Sequence, residues 1–250
     1  MFSGSVFFAL FKTYGIPSIS QLLVATGQLA SDDTASKRAA DTGVILTEVV
    51  LHHPLDKRAI DGIARMNFLH NRYRKSGKIS DDDMLYTLSL FVLEPIRWTA
   101  RFEWREVSEV KRCAMGVYWR WMGEAMEIPF TPLPSCQDGW RDGLHFLEEL
   151  EGFSRHYETL HMIPAESNEL VAKGTIKTAL TNIPRALHGL AQGIVSALLE
   201  PRLRRAMRFA DPSRSSVQLL HIVMWARKMN GHSTSALATT HDVAQALVHR

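Results

Sequence analysis

The stretch Met84–Leu93 (MLYTLSLFVL) is apolar on nearly every side and stands directly behind Ser80-Asp81-Asp82-Asp83. A serine in the N-cap position with three carboxylates at the positive end of the dipole starts a helix there. A helix with no polar face has to be buried all round. That requirement demands several further elements to surround it, and the rest of the chain supplies them with helical period. Ser18–Gln28 begins just after Pro17 and stops near Gly27. Thr34–His52, with Thr34 as N-cap, is broken by Pro54, and Leu55–Lys75 ends before Gly77. Ser108–Met126 forms another helix. Beyond the proline-rich linker Ile128–Ser135 (IPFTPLPS), helices are expected near Trp140–Glu158, Asn168–Thr181, Pro184–Leu199 and Ser216–Met229. Strand-like alternation is almost absent. The expectation is an all-α protein, one helical domain over residues 1–250, with the small polar segment His232–Thr240 mobile.

Composition narrows the function classes. With 250 residues, 46% hydrophobic and 22% charged, the chain can bury a sizeable core, which excludes wholesale disorder. A net charge of +3 gives no case for nucleic acid as partner. Two cysteines without a CxxC, Cys113 and Cys136, build neither a disulfide framework nor a cysteine zinc site, and a reduced compartment is the simpler reading. No run of 18 apolar residues is present to span a bilayer as a helix. Val6–Phe11 (VFFALF) reads as the tail of a helix, so an upstream segment is expected to be missing.

Two helices carry polar residues where apolar ones belong. The inward stripe of 34–52 reads Arg38, Thr42, Ile45, Val49, and that of 55–75 reads Ile60, Ile63, Met66/Asn67, His70, Tyr73/Arg74. Buried His, Asn or Arg is costly unless something satisfies it. A haem accounts for all these types: a neutral imidazole for iron, arginines for propionates, and aliphatic walls for the porphyrin faces. The plainer reading is a satisfied core histidine at 70 and salt bridges from Arg38 and Arg74 to Asp41 or Glu48.

The block Met66–Trp98 (MNFLHNRYRKSGKISDDDMLYTLSLFVLEPIRW) resembles the core of the MpaB/rubber-oxygenase catalytic-domain family, as do Lys37–Thr42 (KRAADT) and Leu199–Met207 (LEPRLRRAM). The ordered set Arg-x-x-x-Thr followed by Leu-His-x-x-x-Arg is its most specific part. The resemblance spans nearly the whole chain and implies an all-α fold with a globin-like core and haem b. It implies an oxygenase that cleaves a carbon–carbon double bond of an isoprenoid-type hydrophobic intermediate with dioxygen, in natural-product biosynthesis. By position, His70 matches the family's proximal iron ligand, Arg38 and Thr42 its haem-pocket and catalytic pair, and Arg74 the arginine one turn past the histidine. Asn67 is in the same pocket. Members commonly carry an upstream anchor, which implies association with the endoplasmic-reticulum membrane. The chain departs from rubber oxygenases in having Asp41 where they have lysine, Asn67 where they have a second histidine, and no carboxylate in Gly15–Gln28 where they place a base. Polyisoprene is therefore not the expected substrate.

Two other readings compete. Glu158-x-x-His161, with Asp142-x-x-His145 and Glu48/His52, has the spacing of a di-iron carboxylate site. A shortened, non-catalytic haem-binding or accessory relative is the other. Elsewhere, Trp119 and Trp121 read as packing residues, Cys113 as a small core residue, and Glu148, Glu149 and Glu151 as an acidic surface. Pro201–Arg208 is a basic segment suited to a solvated face or to peripheral contact with an anionic membrane.

Overall fold

The computed structural model describes residues 2–27, 42–181 and 183–229. The expected N-cap Thr34, Arg38 and the segment His232–Thr240 lie outside the described residues. The helices are α1 (Phe2–Thr13), α2 (Pro17–Ala25), α3 (42–50), α4 (Lys57–Lys75), α5 (Asp81–Phe102), α6 (Glu109–Ala125), α7 (Gly143–His161), α8 (Glu166–Ala179), a 3-10 turn Arg185–Leu187 running into α9 (His188–Leu198), α10 (Pro201–Ala206) and α11 (214–229). No strand occurs among the described residues, and the fold is all-α as read from the sequence.

Helix α5 is the axis of the molecule, with α1, α6 and α7 packed against it, α6 against α7, and α2 against α8. Its start is set by Ser80, whose Oγ accepts from Asp83 N at 3.0 Å. Leu85, Tyr86, Leu90 and Val92 are fully enclosed, so the all-round apolar pattern is satisfied by neighbours on every side. The helix runs nine residues past Leu93, through Pro95, to Phe102. A proline inside a helix removes one backbone bond. Here the turns beyond it are held by packing: Trp98 meets Phe8 and Phe102, each at 5.0 Å between ring centroids.

The end of α4 follows from Gly77. At φ +68° it closes a Schellman motif, with Gly77 N bonded to Arg74 O and Lys78 N to Tyr73 O. Within α4 the buried residues are Ala59 and Ile63, while Ile60 is half exposed. The inward stripe therefore starts one residue earlier than the sequence pattern placed it.

The α1–α2 pair bends by 92° and both halves pack on the body. Among the described residues no single helix is long and apolar enough to cross a membrane. Asn168, fully buried, ties this bend down: its Nδ2 donates to Gly15 O, Ile163 O and Ala206 O at 3.0–3.1 Å, and its Oδ1 accepts from Ser20 Oγ.

Candidate functional site

Helices α3 and α4 form a hairpin around the short connection 51–56. A Cβ on Gly62 would overlap the Val49 side chain and lie near Ile45 O and Glu48 Cβ, so the two backbones approach closely there. Walking six residues back from Glu48 reaches Thr42, and eight forward from Gly62 reaches His70. With equal rise per residue in both helices, Thr42 and His70 occupy the same end of the hairpin. Arg38, the third residue of the set read from the sequence, lies outside the described residues.

Helix α6 crosses the hairpin on its inner side. Tyr118 Oη donates to Val49 O at 2.8 Å, and burial pushes the phenol up to about 12. At the other end, Asn67 Nδ2 donates to Ala125 O at 2.9 Å, and Arg74 donates to Met126 O at 3.3 Å and to Glu127 O at 2.9 Å. Arg74 also pairs with Asp81 Oδ1 at 2.9 Å. Two side chains of α4 thereby satisfy the last carbonyls of α6, whose exit turn has Glu127 at φ 55°. His70 stands between Asn67 and Arg74 on the same stripe, half-buried, with Nδ1 shielded from solvent.

This geometry gives Arg74 and Asn67 a definite task. They lock α4 to the C-terminal turn of α6 and so fix the helix that carries His70. Of the salt bridges weighed for the arginines, Arg38 and Asp41 lie outside the described residues, while Arg74 pairs with Asp81, and Glu48 pairs with Arg58 and lies 3.7 Å from His52.

The di-iron arrangement does not form. Asp142 and Glu158 are 16 residues apart on one helix, about 24 Å along its axis, so they cannot share a metal pair. Asp142 caps α7 by accepting from His145 N, and His145 Nε2 faces Glu149 at 3.2 Å. Glu158 binds Lys12 at 2.9 Å, and His161 lies over Tyr157 at 4.4 Å. Among the described residues no group of three or more His, Cys, Asp or Glu could hold a metal ion. One inward imidazole is a donor set that suits a metal arriving with its own equatorial ligands, and in that respect His70 fits a haem.

Beside the hairpin lies an open, almost wholly apolar groove of about 710 Å³, lined by Pro54 and, on α6, Val110, Cys113, Ala114, Val117, Tyr118 and Trp121. Trp119 is core, stacked on Phe91 at 5.7 Å. Both cysteines are free thiols.

Sequence reasoning missed two networks, one around the half-buried Glu149 and one around the buried Lys12. Glu149 is not part of an acidic surface: it accepts from Ser135 N, Ser135 Oγ and Trp140 Nε1. Burial would raise its carboxyl, but these bonds outweigh it and hold the group below the ordinary glutamate range. Lys12, only 1% exposed, is ringed by Glu94, Glu158 and Glu200. The signal was present in a lysine ending the run VFFALF and in two Leu-Glu-Pro triplets.

The matched region of the chain settles its kinship. Residues 3–228 match the family model for the ER-bound oxygenase mpaB/B'/rubber oxygenase catalytic domain. The chain belongs to that family. Among curated relatives it is 43% identical over 204 residues to the ER-bound oxygenase mpaB of Penicillium roqueforti (strain FM164), covering 82% of this chain and 68% of the relative. It is 42% identical to the ER-bound oxygenase mpaB' of Penicillium brevicompactum, covering 85% and 50% respectively. The mpaB of that species is 40% identical, covering 86% and 54%. The chain thus spans about half to two thirds of the length of these members. Membership places the Thr42–His70 end of the α3–α4 hairpin inside the family's catalytic domain.

Proposed function

We propose that this chain is the catalytic part of a haem-dependent oxygenase that opens a carbon–carbon double bond of an isoprenoid-type hydrophobic compound in natural-product biosynthesis, at the endoplasmic-reticulum membrane. The observation that carries the reading is the position of His70. Its imidazole lies on the inward stripe of α4, between two side chains anchored to the end of α6, in a chain matched to an oxygenase catalytic domain. His70 would hold the haem through its iron. Arg38 and Thr42 would orient haem b and dioxygen by hydrogen bonding. Asn67 and Arg74 would act mainly by holding α4 in place, which is how outer partners tune a ligating histidine. The haem, when bound, supplies redox-active iron with an exchangeable position for dioxygen chemistry. The apolar groove on α6 would hold the hydrocarbon chain.

The test is the visible spectrum of the full chain purified with haem supplied, beside His70→Ala. A Soret band in the parent that is lost or shifted in the variant supports the role. A parent without the band, or a variant with an unchanged one, removes His70 from it. Bound haem with no oxygen consumption on isoprenoid substrates would favour a non-catalytic relative instead.

A further inference from the structure

Helices α9 and α11 turn apolar side chains outward. α9 has no buried residue. It packs against the start of α11, where the Ser216 side chain fills the place a Cβ on Gly193 would take. On α11 the buried residues are Ser216 and Leu220, which fix the inward direction. At about 100° per residue, Ile222, Trp225 and Met229 fall on the opposite face, and they are 61%, 65% and 50% exposed. Leu187 and Leu190, ahead of and within α9, are also exposed, at 48% and 45%. A helix facing water carries polar residues there, and a contiguous apolar face marks an interaction site.

The segments that form this face are rich in bases and poor in acids, with Arg227 of α11 paired to Glu103, just past the end of α5, at 3.0 Å. Segments 183–199 and 212–229 contain no Asp or Glu. Over 183–229 there are eight Arg or Lys against two carboxylates, so this stretch carries +6 while the remainder of the chain carries −3. Both carboxylates are engaged, Glu200 with Lys12 and Asp211 with Arg204.

We propose that the α9–α11 surface is a peripheral docking face for an anionic lipid bilayer. Ile222, Trp225 and Met229 enter the boundary between headgroups and acyl chains, while Arg185, Arg214 and Lys228 meet anionic headgroups. An acid-free apolar helix bearing a tryptophan and flanked by cations is the chemistry that binds such a surface. A second copy docking face to face would bring two like-charged stretches together, which disfavours that occupant. The inference rests on the membrane part of the proposed function and is independent of the haem.

The experiment is flotation of the purified full chain with vesicles of phosphatidylcholine alone or mixed with phosphatidylserine. Its comparators are Ile222→Ser/Trp225→Ser and Arg185→Glu/Arg214→Glu, all at exposed positions whose thermal melts should match the parent. The parent is expected to float with the mixed vesicles, with partitioning about tenfold weaker on phosphatidylcholine and in each variant. Equal flotation of parent and both variants overturns this face but leaves membrane association standing. No flotation of the parent overturns both. A parent dimer that the Ile222→Ser/Trp225→Ser variant converts to monomer overturns the lipid assignment in favour of a second copy.

Discussion

Lys12 Nζ lies 3.1 Å from Glu94 Oε1, with the two side chains 1% and 2% exposed. Glu158 and Glu200 approach the same ammonium at 2.9 and 3.6 Å, and Arg97 Nη1 pairs with the same Glu94 oxygen at 2.9 Å. Both Leu-Glu-Pro triplets of the chain therefore send their carboxylates to one lysine, joining α1, α5, α7 and the start of α10. Replacing Lys12 by Met leaves buried carboxylates facing one another, and breaking a buried ionic group in this way costs about 3–5 kcal/mol. Urea unfolding is expected to show that loss, and Lys12→Met/Glu94→Gln/Glu158→Gln should recover part of it. An unchanged midpoint in Lys12→Met would mean the cluster contributes nothing.

The same cluster sets an alkaline limit. Burial alone would lower the Lys12 ammonium, but Glu94, Glu158 and Glu200 together raise it above the ordinary lysine range. A raised folded-state value means the contribution is complete below the unfolded pKa, about 10.4. It fades as pH climbs through the folded value. Unfolding free energy followed from pH 8 upward should decline in the parent more steeply than in Lys12→Met.

Glu149 works at the acid end. Its carboxyl is held below the ordinary range by Ser135 and Trp140 despite burial. The associated stability is present above the unfolded glutamate value, about 4.3, and disappears as pH falls through the lower folded one. Glu149→Gln should flatten the acid limb of the stability profile. It should also loosen the 131–140 loop, read as faster amide exchange at Ser135.

Helices α6 and α7 touch backbone to backbone at Gly116 and Gly143. A Cβ on either would overlap the other strand of chain, at Gly143 O and Cys113 O respectively. Neither obstacle is a side-chain tip that can swing away. Gly116→Ala and Gly143→Ala are each expected to destabilise by about 3 kcal/mol or to prevent folding. Wild-type thermal stability in both would contradict the packing described.

Under the haem reading proposed above, loss of the α4–α6 lock should affect haem retention while leaving His70 itself in place. Asn67→Ala and Arg74→Gln are expected to weaken haem binding roughly tenfold while leaving the Soret maximum in place, whereas His70→Ala changes the spectrum itself. Titration with haem followed by absorbance separates the two patterns. A displaced maximum in Arg74→Gln would point to direct contact with the porphyrin.

The helices most plainly written in the sequence were those with a local cause. Ser80 and its carboxylates set the start of α5, and Gly77 set the end of α4, because caps act on backbone groups within one turn. The end of α5 was not legible at Leu93. Pro95 argues locally for a stop, and the continuation to Phe102 is held by aromatic rings on α1 and on α5 itself.

Periodicity gave the face on which His70, Asn67 and Arg74 lie, because a 3.6-residue repeat assigns faces without reference to a partner. It could not say that Asn67 and Arg74 would bond carbonyls 52–58 residues away at the end of α6. Nor could it say that Lys12 would be enclosed by glutamates from three other segments, or that α11 would turn its tryptophan outward. Local propensity and patterning determined which stretches are helices and which way each could face. The identity of the group opposite every buried charge was decided by the tertiary structure, because electrostatic and hydrogen-bond partners are set by distance in space, and chain separation carries almost no information about that distance.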